Sequence, residues 1–123
     1  MSFTSLTTIR QKIHSDLTSY APLTSLLSNG MQSVRLLLAE NSVGTQYVTY
    51  SFKHQGVATK ANLANYEIVV NSWGSDDVSS LLVADQVYNA FANATHYYQY
   101  ISAETAVTDQ FQIYTQQIFN LKS

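Results

Sequence analysis

The stretch YEIVVNSWGSDDVSSLLVADQVYNAF, residues 66–91, changes its period halfway along. Up to Trp73 it alternates as a strand does. Tyr66, Ile68 and Val70 share one side; Glu67, Val69, Asn71 and Trp73 share the other. Gly74 ends the strand, and Ser75 or Asp76 caps a helix whose dipole favours the negative charge of Asp76 and Asp77. The helix is expected to run to about Asn93. Leu81, Ala84, Tyr88 and Phe91 form its apolar stripe, widened by Val78, Leu82 and Val87, and that stripe should lie flat on a sheet.

Working outward toward the N-terminus, Leu6, Ile9, Ile13, Leu17 and Tyr20 recur at helical steps, with Ser2 or Thr4 as N-cap. Pro22 breaks that helix and fits the first turn of another, buried through Leu23, Leu26 and Leu27 and stopped by Asn29-Gly30. SVRLLLA (33–39) has a strand's length, and ENSVGT is a turn. In QYVTYSFKH (46–54), Val48, Tyr50 and Phe52 face one way. This strand and LANYEIVVNSW (63–73) form a hairpin with a polar tip. After the long helix come two strands, 96–108 and 109–122. In the last, Phe111, Ile113, Phe119 and Leu121 share a parity that Thr115 and Gln117 interrupt, which predicts a bulge or a switch of environment there. The order is helix, three strands, helix, two strands. It predicts an α+β fold, a mainly antiparallel sheet with two main helices on one face, as one domain over residues 1–123.

Only 11% of the residues are charged, against about 25% in an average soluble domain. Aromatic residues make up 12%, mostly tyrosine. Two readings stay open: a neutral, hydroxyl-coated monomer, or a surface covered by copies of the chain or by partners, since interface cores lose charge and gain aromatics. A net charge of −2 with six scattered Lys and Arg argues against nucleic-acid recognition. There is no cysteine for a disulfide or thiolate site. The N-terminal residues lack a signal-peptide pattern, and no apolar run approaches a membrane span, so a soluble protein made in the cytoplasm is expected.

Chemistry-bearing groups are few. His14, His54 and His96 are far apart. His14 and Asp16 point to different sides of their helix, so His14 reads as a solvated surface residue, His54 as a tip residue and His96 as part of a turn. Asp76-Asp77 reads as a helix cap rather than an acid pair. The other carboxylates lack metal-ligand spacing, no glycine-rich phosphate loop exists, and no serine sits in GxSxG. No catalytic, cofactor-binding or metal residues are nominated, and an enzyme has the least support. Trp73, the only tryptophan, is either a plug at the core's edge or an interface anchor.

The order of elements, with YVTYSF (47–52), a strand ending in VVNSWGS (69–75) and a following helix LLVADQVYNAF (81–91), resembles the tail-completion proteins of long-tailed phages and related particles, also called tail terminators. The resemblance spans about residues 3 to 121 and rests on element order and the strand–Trp–helix junction. It implies a hexameric ring at the head-proximal end of the tail tube, assembled in the host cytoplasm into the virion. Such a ring stops tube polymerisation and meets the head's connector or stopper. The implied partners are the chain itself, the tube protein and the connector or stopper, with no catalytic residues, no cofactor and no membrane. DNA passes through such a ring without being recognised. This chain carries less charge than such contacts lead one to expect.

A closed ring needs two different surfaces on each subunit. The candidates for one are the 54–62 hairpin tip and its flanks, with Lys53, His54 and Lys60; for the other, the last strand, with Tyr114, Gln116 and Ile118, and Trp73 as a possible anchor. The competing readings are another neck or tube component, which would polymerise alone into tubes, and a small α+β ligand-binding module, monomeric or dimeric, with a tyrosine-lined pocket.

Overall fold

A computed structural model describes residues 5–36, 45–57 and 64–122. Helix α1 (Leu6–Thr18) leads to a single turn α2 (Ala21–Thr24), a 3₁₀ turn (Gly30–Ser33) and the strands β1 (Val34–Leu36), β2 (Tyr47–Val57) and β3 (Ala64–Gly74). Helix α3 (Asp77–Ala92) follows, then β4 (Tyr97–Val107) and β5 (Ile113–Lys122). The five strands form one sheet in the order β1-β2-β3-β5-β4. Every neighbouring pair is antiparallel except β1 and β2. This is the expected α+β arrangement, with the helices on one sheet face.

The core lies between the helices and that face. Ile9, Ile13 and Leu17 of α1 and Leu23 of α2 meet Val48 and Tyr50 of β2, Tyr66, Ile68 and Val70 of β3, and Phe119 and Leu121 of β5. The period-two reading of β2 and β3 therefore holds. Pro22 opens α2 as expected. Gly30 takes a φ of +58°, yet the chain continues into the 3₁₀ turn instead of entering the strand directly. Ser5 caps α1 by accepting from the Thr8 amide; the expected caps Ser2 and Thr4 lie outside the described residues, as do 37–39 of the first strand, most of the following turn and the hairpin tip beyond Val57.

At the junction, Gly74 lies in close contact with the first turn of α3. A Cβ there would lie 2.5 Å from the Ser80 amide nitrogen. Asp76 Oδ1 accepts from the Ser79 amide at 2.7 Å, and this bond holds its carboxyl below the usual carboxylate range. The helix thus starts pressed against the strand it has just left.

Several expectations are corrected. Helix α3 buries Ser80, Val83, Ala84, Val87, Ala90 and Phe91. Leu81, Tyr88, Val78 and Leu82 of the expected stripe are exposed. The helix is apolar around most of its circumference, and small side chains win the inner face because they allow close approach to the sheet. Leu6 likewise points to solvent. Phe111 is not in a strand: it occupies the β4–β5 turn with φ +61° and is 87% exposed. Thr108 builds that turn, its Oγ1 accepting from the amides of Gln110 and Gln112.

Strand β5 has no bulge at Thr115 or Gln117; the register shift falls in β4, between Tyr100 and Ser102. Both polar side chains are buried, Thr115 paired through its hydroxyl and Gln117 through its amide nitrogen. Thr115 Oγ1 bonds Ser80 Oγ at 2.8 Å and Thr105 Oγ1 at 3.0 Å, and Gln117 Nε2 donates to Ala84 O. They tie β5 to α3, so the strand does not need to break.

Candidate interaction surfaces

Two histidines expected at the surface or in a turn are engaged. His14 is half-buried and shares a hydrogen bond with the Tyr50 hydroxyl at 3.1 Å. Burial, then the guanidinium groups of Arg10 and Arg35, lowers its pKa below the ordinary imidazole value. His96 Nδ1 lies 2.7 Å from Asp16 Oδ2, which also accepts from Tyr98 OH. Burial and that carboxylate raise the Tyr98 phenol far above its usual range. This cluster straps α1 to the start of β4. No serine or threonine hydroxyl bonds to either imidazole ring among the described contacts, Thr18 Oγ1 donating only to the His14 backbone carbonyl, and no three His, Asp or Glu side chains among the described residues gather as a metal site needs.

The sequence-derived interface residues fall mainly on the sheet face away from the helices. Read across the strands, the first row there is Tyr47, Trp73, Tyr114 and Ala106. The second is Thr49, Asn71, Gln116 and Glu104; the third is Ser51, Val69, Ile118 and Ser102. Lys53 and Glu67 stand opposite each other in the next row and form an ion pair at 3.0 Å. Trp73 and Tyr114 therefore lie at one end of this face and Lys53 at the other, with Gln116 and Ile118 between. His54 belongs to the helix-side parity, edge-on to the Tyr66 ring. Lys60 lies outside the described residues.

The first row is an aromatic bar. The Trp73 ring stacks on Tyr47 at 5.5 Å and tilts against Tyr114 at 4.9 Å, while its Nε1 donates to Thr49 Oγ1. Such packing fixes a wide apolar surface without rotamer freedom. Tyr47 was missed from sequence, although its alternation with Trp73 across a hairpin was readable. Next to the bar a hollow of about 200 Å³ is lined by Trp73, Gly74 and Phe111. Otherwise this face carries mainly hydroxyls and amides, and the buried Asn71 Oδ1 has no hydrogen-bond partner among the described residues.

A second surface was not foreseen. Strand β4 ends the sheet and is largely exposed along its length. Tyr97, Tyr100, Ile101 and Val107 are exposed on it; Tyr100 stands on the helix side beside the outward Leu81 and Tyr88 of α3, whereas Tyr97 shares the opposite face with Lys122. A cleft of about 610 Å³ separates the two elements, lined by Leu81, Asp85, Tyr88, Tyr100, Ala103 and Gln117. Tyr88 and Tyr100 meet edge to face at 5.4 Å in its wall. Deeper in the same seam Phe91 stacks on Tyr98 and meets Phe119 edge-on.

No family model matches the chain, and no curated protein matches it. Among solved structures it is similar to a chain in the virion of a native gene transfer agent particle. The match has a TM-score of 0.76 over 93% of this chain and 92% of that one, at 12% identity. At that identity the likeness establishes a shared fold across nearly the whole of both chains.

Proposed function

We propose that this chain is a non-catalytic structural protein of a phage-like virion, a tail terminator that closes the head-proximal end of the tail tube as a ring. The observation that carries the reading is the near end-to-end likeness to a chain of a gene transfer agent virion. It is supported by the element order and the strand–Trp–helix junction at residues 66–91. The physical character of the surface agrees. A chain with 11% charged residues leaves an aromatic bar, an amide-rich sheet face and a long edge strand open to solvent, and copies or partners can cover all three. In this reading the ring is a hexamer, its partners are the tube protein and the head's connector or stopper, and it works in the virion neck.

The test is removal of the gene from its particle. The expected result is tails of uncontrolled length that fail to join heads, restored by the intact chain supplied in trans. Tails of normal length joined to heads would overturn the reading. A purified chain that polymerises into open tubes by itself would replace the terminator with a tube component.

A further inference from the structure

Among the described residues the sheet ends in two different strands, and their charges are complementary. Strand β1 ends one side and β4 the other. The chain of pairings, parallel from β1 to β2 and antiparallel at each later step, makes β1 and β4 run in opposite directions. A copy rotated about an axis along the strands would therefore bring its β1 antiparallel to this β4. Each end strand carries one charged residue, Arg35 on β1 and Glu104 on β4. The register places the two in one straight row: Arg35 opposite Thr49, Thr49 opposite Asn71, Asn71 opposite Gln116, Gln116 opposite Glu104. By register their Cα positions share a face of the sheet and lie at its two ends. Neither forms a salt bridge among the described residues. Arg35 Nε donates to Gln32 O, which leaves the two terminal nitrogens of the guanidinium for a carboxylate.

From this geometry we infer that the subunits join head to tail, β4 of one copy pairing antiparallel with β1 of the next and Glu104 meeting the neighbour's Arg35. The inference rests on the ring reading and names its subunit contact. It uses two different surfaces on each chain, as a closed ring requires. Along its three residues β1 also covers part of an edge that natural sheets otherwise guard with lysine, proline or short length. Strand β4 has no lysine or proline in its eleven residues.

The absence of cysteine gives a direct test. Opposed residues of an antiparallel pair lie about 4.5–5.5 Å apart at Cα, within disulfide reach. Arg35→Cys and Glu104→Cys proteins are purified separately, mixed and oxidised. The expected product is the mixed disulfide dimer, with the double variant giving a ladder that ends at the closed ring. Glu104–Glu104 position dimers alone would overturn the inference in favour of a two-fold β4 contact. A ring seen by native mass spectrometry without the mixed disulfide would overturn this contact and leave the ring reading standing. No assembly and no cross-link, even with tube ends added, would overturn both. As a second readout, Arg35→Glu or Glu104→Arg alone should weaken association about tenfold, and the two together should restore it. Additive losses without restoration would count against the pair.

Discussion

Gly74→Ala is the sharpest test of how the strand–helix junction is built. Gly74 does not use a left-handed backbone; its requirement is space. The added Cβ would sit 2.5 Å from Ser80 N and 2.9 Å from both the Ser79 carbonyl carbon and Cβ. Two of these atoms are helix backbone and cannot swing aside, so the first turn of α3 must retreat by roughly 1 Å to restore ordinary contact. That retreat stretches the bonds from Ser80 Oγ to Ser72 O and to Thr115 Oγ1, each 2.8 Å long and buried. Overpacking costs about 1–3 kcal/mol, and a weakened buried hydrogen bond adds about 1 kcal/mol. The smaller entropy of the unfolded alanine chain offsets about 0.4–1 kcal/mol. The expected net loss is about 1–3.5 kcal/mol, a large part of the roughly 5–15 kcal/mol that holds a domain folded. Urea denaturation should show a lowered midpoint with an unchanged slope. Gly30→Ala is the contrasting control. Nothing lies within 4 Å of its Cβ, but its φ of +58° is left-handed, so its loss should stay near 1–2 kcal/mol. A Gly74→Ala protein within about 0.5 kcal/mol of the parent would refute the reasoning, as would a Gly30 variant more damaged than the Gly74 one.

Gln117→Met should be neutral to within about 1 kcal/mol in urea melts, although the residue is buried. The variant gives up the bond to Ala84 O but also removes Oε1, which is buried without a partner among the described residues. Phe119→Ala should cost about 3–5 kcal/mol by the same assay, because its ring is fully buried between Phe91 and Tyr100. For His14, the native pKa lies below the ordinary value of 6.5, so the unfolded chain binds more protons in the window beneath 6.5. Its contribution to stability is present above that value and is lost as pH falls through the native pKa. An NMR titration should place the His14 midpoint below 6.5, and His14→Gln should flatten the stability profile between neutral and mildly acidic pH; a midpoint above 6.5 would reverse the sign.

The layers of this fold were legible because local period reports local burial. Val48, Tyr50 and Phe52, then Tyr66, Ile68 and Val70, alternate as half-buried strands do, and the structure turns them inward. Helix α3 was legible in extent but not in facing. With apolar side chains on most sides, its period cannot say whether Leu81 or Val83 goes inside; the need to approach Gly74 closely decides for the smaller side. The last hairpin was misread because Phe111 continues the apolar alternation past a turn that Thr108 makes through hydrogen bonds. The polar contacts were hidden for a different reason. His14 meets Tyr50 36 residues away, and His96 meets Asp16 80 residues away. Such pairs depend on which strands lie side by side, and the adjacency of β3 and β5 across an intervening helix and strand leaves no local trace.

The same dependence on strand order explains why the two ends of the sheet become comparable only in three dimensions. Arg35 and Glu104 are separated by most of the chain, yet four cross-strand pairings put them in one row. The ends differ in everything else. The β4 end carries exposed Tyr97, Tyr100, Ile101 and Val107 and borders the outward leucines of α3, whereas β1 is three residues long and bordered by the 3₁₀ turn. A contact between two β4 edges would bury the apolar patch against itself and bring two Glu104 carboxylates to one seam, with no cation from β4 to offset them. A contact between β4 and β1 supplies that cation and leaves a second, unlike surface open on each new subunit. The first arrangement stops at two copies; the second continues until it closes on itself. Charge scarcity is thus informative about assembly: with one opposite charge on each end strand, the electrostatic preference among edge pairings is set by a single row.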